Sequence, residues 1–290
     1  MTQIIDSFAE ISDRYDVAFV DLWGCMHNGI TAFPAAVAAM QAFRARGGTV
    51  VFVTNAPRPR APVQAAFQRF GIPDDAFDVV ATSGDAARNA MFQGVVGQRV
   101  WFMGEAQDQS FFDPLRIADN PATITQVPLD QAEGIVCCGP FDRFADPAVN
   151  RPQFLLAREH GLKLLCANPD IVVDRGESRE WCAGALARLY DEMGGESLYF
   201  GKPHPPIYDL ARLRLAALGI NPSEARIIAI GDGIATDIAG AMGEEIDSLF
   251  ITGGLAAAET RTTAQPDPAA LDGFLARHLM SSTFAIGFLR

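Results

Sequence analysis

Basic charge is what this sequence has least of. With 23 Lys and Arg against 35 Asp and Glu, its 290 residues carry a formal net charge of −12. A nucleic-acid surface needs a basic footprint, so that class of partner is excluded. Acidity does not exclude a small phosphorylated ligand, because a bound cation and one lysine reverse the field at a single site. No apolar run approaches the roughly twenty residues needed to cross a bilayer, so no membrane partner is expected. The start, Met1-Thr2-Gln3-Ile4-Ile5-Asp6, has neither a basic region nor a long apolar core. No secretory signal is evident there, and a soluble, cytoplasmic protein is expected.

Paired cysteines are also missing. Cys25, Cys137, Cys138, Cys166 and Cys182 are odd in number and lack the spacings of zinc or redox motifs. Four of them lie in or beside apolar runs and read as reduced packing residues. There is no Gly-x-x-x-x-Gly-Lys-Ser/Thr loop, which excludes a nucleotide triphosphatase of that type. No Gly-x-Ser-x-Gly elbow, low-complexity segment or short-period repeat occurs either.

What is present is an ordinary globular mixture, 49% apolar and 20% charged, long enough for two modest domains. Strand-like and helix-like segments alternate, which predicts an α/β fold with a parallel sheet covered by helices. Strands are expected at 16–20, 49–53 and 78–81, with helices over 34–46 and about 61–70 between them. From about residue 86 the pattern restarts, with strands at 99–104, 134–139 and 163–167 and helices near 147–160 and 178–193. A helix near 206–218, strands at 227–231 and 248–252 and a helix near 267–279 follow. Residues 86–196 therefore read as a smaller α/β domain inserted into one made of 1–85 plus 197–290.

Two of these strands end in carboxylates. The apolar run 227–230 closes in Gly231-Asp232, with Asp237 at the mouth of a helix, and the run 16–20 delivers Asp21 into a turn containing Gly24. Open α/β sheets bind ligands at the carboxyl ends of their strands. Two carboxylates so placed suggest one divalent-cation site, and hard oxygen donors suit Mg²⁺. Asp21 can also attack phosphorus, dividing one difficult hydrolysis into two easier steps. Standing alone it would read as a helix or turn cap. Thr54 and Asn55 close the second strand, where a hydroxyl and a backbone N–H can hold a phosphoryl oxygen. They equally suit a simple turn. In Gly201-Lys202-Pro203-His204-Pro205-Pro206 the backbone is fixed around Lys202, whose ammonium can neutralise a phosphoryl group and a neighbouring carboxylate. His204 reads as a loop residue packed between prolines. Asp237 reads equally as part of the metal set or as a helix cap.

In this order the four segments resemble the haloacid dehalogenase superfamily of phosphohydrolases. The insertion between Thr54 and Lys202 resembles its class IIA, the nitrophenylphosphatase and nucleotide- or sugar-phosphate phosphatase branch, which carries a large α/β cap. Thr82-Ser83-Gly84, Ala167-Asn168-Pro169-Asp170 and Ile251-Thr252-Gly253-Gly254 add to a likeness that covers essentially the whole chain. The resemblance implies a Rossmann-like parallel-sheet core with the inserted α/β cap. It implies Mg²⁺ held by Asp21, the Trp23 carbonyl and Asp232, with Asp237 orienting metal-bound water. Thr54, Asn55 and Lys202 would hold the phosphoryl group. A cap closes over the core and contacts the leaving group, and Asn168, Asp170, Arg175 and Glu180 are the candidates for that task. Arg175 and Glu180 read equally as surface charges. The family also allows homodimerisation through the cap, for which the sequence itself says nothing.

One position departs from the family pattern. Phosphatases of the family carry Asp two residues after the nucleophile, where it protonates the leaving oxygen and later activates water; here Trp23 stands there. Indole cannot do general acid–base work, which is worth about 10²–10⁴-fold. Hydrolysis of the aspartyl-phosphate is then expected to be the slow half-reaction. His27, in the same turn, titrates near neutrality and is the candidate substitute; it reads equally as a packed turn residue. Two functions stay open. One is a Mg²⁺-dependent phosphatase acting on a small phosphorylated metabolite, and the other is a catalytically weak phosphate-ligand binding or regulatory protein. Phosphonate cleavage ranks low because the cap's one lysine, Lys163, starts a predicted strand. Dehalogenation ranks lower, since those enzymes do without the metal carboxylates.

Overall fold

The computed structural model describes residues 2–114, 121–175 and 178–290, in two compact units. The first unit is Met1–Thr54, Gln64–Ala81 and Tyr208–Arg290. Its sheet has seven strands in the spatial order Gln3–Ile4, Phe284–Ile286, Asp247–Ile251, Ile227–Gly231, Val17–Val20, Thr49–Thr54 and Val79–Thr82. The pairings from Gln3–Ile4 across to Thr49–Thr54 are parallel. Val17–Val20 and Ile227–Gly231 are buried at every position. Such unbroken apolar runs belong to a parallel sheet covered on both faces, whereas a half-exposed strand would alternate.

Strand succession steps one way from Val17–Val20 to Thr49–Thr54 and Val79–Thr82, and the other way from Ile227–Gly231 to Asp247–Ile251 and Phe284–Ile286. The reversal falls between Val17–Val20 and Ile227–Gly231. This is the doubly wound, Rossmann-like order, which leaves a crevice outside the carboxyl ends of the two strands that flank the reversal. Those two strands run in step, with Val17 opposite Ile227 and Val20 opposite Ile230.

Helix Pro34–Ala45 covers part of this sheet by burying Ala36, Val37, Met40 and Phe43, a single helical face. Pro34 suits the first turn, where its missing N–H costs nothing. Gly47, at φ 89°, ends the helix in the left-handed region that a side chain disfavours. Phe52, Phe67 and Phe77 pack as a trio with ring centroids 5.0–5.6 Å apart.

The second unit is Asn55–Val63 and Thr82–Ile207. Its main sheet has five strands in the order Glu196–Tyr199, Lys163–Cys166, Gly134–Cys137, Arg99–Met103 and Thr125–Gln126, all paired in parallel. Ile135, Cys137, Leu164 and Cys166 pack into one apolar layer, and Val136, Cys138, Leu165 and Ala167 into another. Alternate residues of each strand thus serve opposite faces. Cys137, Cys138, Cys166 and Cys182 are reduced and buried, and burial pushes all four thiols up.

One expected helix is different. The segment near 178–193 begins as a strand, Ser178–Trp181, paired antiparallel with Val172–Arg175, and the helix runs only over Ala183–Glu192. Val172 and Val173 favour extended backbone, and the Trp181 N–H is taken by the Arg143 carbonyl. The short strands Gln3–Ile4, Phe284–Ile286 and Thr125–Gln126 had no sequence signal, because two or three residues show no period. Among the described residues, no helix is long and apolar enough to cross a membrane.

Candidate active site

In the first unit, Asp21 follows Val17–Val20 directly and its N–H donates to the Ile230 carbonyl at 2.8 Å. Asp232 leaves the neighbouring strand one residue past Gly231, so both buried carboxylates sit at the same edge of the sheet. Asp232 Oδ2 accepts the Leu255 N–H at 3.1 Å. Two glycines make room for this carboxylate. A Cβ on Gly24 would stand 2.2 Å from Asp232 Oδ2, and one on Gly254 would stand 1.9 Å from it. The donor atoms of Asp21, Asp232 and Cys25 all lie within 4.8 Å of one another. A divalent cation fits this set, since carboxylates so close repel until a cation offsets them.

Asp237 is buried in a π-helical turn, Ile234–Ile238. Its Oδ2 accepts the Gly233 N–H at 3.0 Å and the Thr236 hydroxyl at 3.3 Å. A Cβ on Gly231 would meet its Cγ at 2.0 Å, so glycine is what lets Asp237 approach the strand end. Thr54 is buried at the end of Thr49–Thr54.

The turn after Asp21 is closed by hydrogen bonds from Met26 N–H to the Leu22 carbonyl and from Gly24 N–H to the His27 carbonyl, 2.8 and 2.9 Å. Trp23 packs edge-on to His27 and against Gly29, where a Cβ would stand 2.5 Å from the indole. His27 is buried with its ring 4.6 Å from Phe70, and Nδ1 accepts the Gly29 N–H at 2.9 Å.

In the second unit Asn55 holds the main chain of Lys202 from both sides. Its Oδ1 accepts the Lys202 N–H at 2.7 Å and its Nδ2 donates to the Lys202 carbonyl at 3.2 Å. The same Nδ2 donates to Asp170 Oδ1 at 2.8 Å, and Asn168 Oδ1 accepts the Asp170 N–H at 3.0 Å. Asn55, Lys202, Asp170 and Asn168 are therefore brought together. Gly201 is needed there, because a Cβ would fall 2.4 Å from Asn55 Oδ1. His204 stacks on Tyr199 at 4.9 Å, and burial lowers its pKa. Arg175 lies elsewhere in the unit, donating to the buried Glu180 at 3.1 Å.

Similarity to known proteins follows the same lines. The family described as haloacid dehalogenase-like hydrolase matches residues 18–117, and a HAD-hydrolase-like family matches 199–275. A haloacid dehalogenase-like hydrolase from Brucella suis 1330 is 36% identical, covers 99% of this chain and 100% of its own, and superposes with a TM-score of 0.85. The chain belongs to the haloacid dehalogenase-like hydrolases. Two more distant structures share the fold. A possible sugar phosphatase from Cytophaga hutchinsonii is 19% identical with a TM-score of 0.76, covering 99% of this chain and 98% of its own. A p-nitrophenyl phosphatase from Archaeoglobus fulgidus is 19% identical with a TM-score of 0.68, over 94% and 96%. No curated protein matches the chain.

The sequence reading of this haloacid dehalogenase-like hydrolase passed over three groups. Cys25 carries no site expectation in the sequence, although it shares a turn with Asp21. Arg143 went unnoticed, yet its guanidinium joins Glu105 at 2.6–2.9 Å and Glu180 at 3.2 Å. Glu105, foremost, holds the Arg143 pKa above its ordinary value. The buried Asp108, paired with Arg58 at 3.1 Å, was missed too. Nothing local marks Arg143, whose glutamate partners are far away in the chain, and although Asp108 accepts the nearby Glu105 N–H at 3.0 Å, its ion-pair partner Arg58 is also distant.

Proposed function

We propose that this hydrolase is a Mg²⁺-dependent phosphatase of class IIA, acting on a small phosphorylated metabolite through an aspartyl-phosphate. The meeting of Asp21 and Asp232 at the carboxyl ends of the two strands flanking the reversal carries this reading. The likeness to a possible sugar phosphatase and a p-nitrophenyl phosphatase supports the same reaction class. In the first half-reaction an Asp21 carboxylate oxygen bonds to phosphorus as the ester P–O bond breaks. The leaving oxygen takes its proton from solvent, since the Trp23 indole offers none. In the second, a water oxygen bonds to phosphorus, the Asp21–phosphorus bond breaks and the water proton leaves. That proton goes to solvent, for which His27 would serve as a donor through Nε2, since Nδ1 accepts the Gly29 N–H and the ring proton therefore sits on Nε2.

Asp21, the Trp23 carbonyl and Asp232 would hold Mg²⁺, with Asp237 behind them, and the cation would offset charge on the phosphoryl oxygens. Thr54 positions those oxygens and the Lys202 ammonium neutralises them. Asn55 acts mainly through Lys202, whose main chain it brackets. Asn168, Asp170 and Arg175 are proposed to bear on substrate choice.

The test is Mg²⁺-dependent phosphate release from p-nitrophenyl phosphate and acetyl phosphate, comparing the natural protein with Asp21→Asn. Both compounds have leaving groups that barely need an acid, which bypasses the defect at Trp23. Turnover that falls by at least about 10⁴-fold in the variant is the expected result, and an unchanged rate would refute the nucleophile. A second reading, a phosphate-ligand binding or regulatory protein, is favoured by the indole that fills the acid's place beside His27 and Gly29. No turnover on either compound would select it.

A further inference from the structure

Mg²⁺ takes oxygen donors almost exclusively, whereas thiolates select softer ions such as Zn²⁺ and Co²⁺. A thiol beside the two strand-end carboxylates is therefore unexpected for a plain magnesium centre. Cys25 is 1% exposed, and its Sγ lies within 4.8 Å of donor oxygens from both Asp21 and Asp232. Among the described residues, no other set of His, Cys, Asp and Glu donors converges in this way. The other four cysteines stand in or beside the strands and helix of the second unit and form no such group.

The geometry of the turn fixes the thiol in place. Gly24, at φ 77°, reverses the backbone between Trp23 and Cys25. The hydrogen bonds from Met26 N–H and Gly24 N–H to the Leu22 and His27 carbonyls close the turn on either side of Cys25. The sulfur is thus presented by a rigid, buried turn, which lowers the ordering cost of using it as a ligand.

We propose that Cys25 is a further protein ligand of the centre, joining Asp21, Asp232 and the Trp23 carbonyl, and that its thiolate raises the centre's affinity for Zn²⁺ or Co²⁺ relative to Mg²⁺. The proposal rests on the reading of Asp21 and Asp232 as metal carboxylates. As the metal–sulfur bond forms, the thiol proton passes to solvent and no electron changes hands.

The experiment titrates the metal-free full chain with Co²⁺ and follows its absorption spectrum. The natural protein should develop a near-ultraviolet thiolate-to-cobalt charge-transfer band, and Cys25→Ser and Cys25→Val should lose it. Competition calorimetry with Zn²⁺ and Mg²⁺ adds a second readout. Losing an outer-shell partner typically costs about 10–100-fold in metal affinity. Loss of the thiolate should lower the Zn²⁺-to-Mg²⁺ preference by at least that factor. Absence of the band in the natural protein overturns the proposal whether or not either variant folds. So does an unchanged metal preference in a folded variant. Asp232→Asn separates the two ideas. If it abolishes binding of every cation while the cysteine variants change nothing, only the thiol ligand is lost. If it leaves cation affinity intact, the metal centre itself is wrong.

Discussion

In the first unit Asp21, Asp232 and Asp237 bring negative donors to one edge of a sheet, held by the Leu255 and Gly233 N–H groups and admitted by Gly24, Gly231 and Gly254. In the second, charge alternates in sign around the buried Glu180: Glu105 meets Arg143, Arg143 meets Glu180, and Glu180 meets Arg175. The first arrangement is costly unless something positive enters it, because close like charges repel. The second neutralises itself and needs no ligand. Crowding of one sign thus points to chemistry, while interleaving of signs points to structure.

The largest expected gain comes from adding a carboxylate to the first region. Trp23→Asp restores the acid–base group that family phosphatases carry, and turnover of alkyl phosphates should rise by about 10²–10⁴-fold. Steady-state kinetics with a poor leaving group measures it. A rate that stays flat would mean the site lacks more than its acid.

Removing the room around Asp232 breaks the same region differently. Gly254→Ala places a Cβ 1.9 Å from Asp232 Oδ2, so the carboxylate must move. Divalent-cation affinity should fall by about 10–100-fold, the cost typical of losing ligand orientation. Calorimetric titration reads it, and intact affinity would show that Asp232 is not held as described.

The mixed-sign region should respond in stability. Arg143→Ala strips one partner from Glu180, whose side chain is only 9% exposed. Leaving a buried carboxylate short of a partner costs about 1–3 kcal/mol. Urea unfolding of the second unit would register it, and an unchanged midpoint would reduce the network to decoration.

An exposed pair supplies the small end of the scale. Arg226, chiefly by a side-chain hydrogen bond, holds the Asp16 carboxyl down at about 2. Because the folded value lies below the unfolded one, the stabilisation is present above the ordinary carboxylate pKa and disappears as pH falls through about 2. Both side chains are roughly half exposed, so solvent screens the pair and its contribution is small. Arg226→Ala should flatten the acid limb of the stability profile only slightly.

Much of the fold was legible because its signals are local. The apolar runs before Asp21 and Asp232 read as buried parallel strands, and the alternation with helices read as α/β. The hairpin Val172–Arg175 and Ser178–Trp181 was not legible. Its antiparallel pairing is a contact between segments, and Ser178-Arg179-Glu180-Trp181 shows no clear period of two. Arg143 was invisible for the same reason, since an arginine in a turn acquires meaning only through the glutamates it meets. Asn55 was legible as a strand-end residue, while the bracket it forms around Lys202 depends on a chain return.

By itself the sequence determined which residues end strands and which runs are buried, because backbone propensity and hydrophobic period act over a few residues; the acid missing at Trp23 showed only against the family pattern. Only the tertiary structure decided that Asp21, Cys25 and Asp232 share one point. Their convergence depends on the strand order that sets Val17–Val20 beside Ile227–Gly231, and on a glycine turn that carries the thiol back toward both carboxylates.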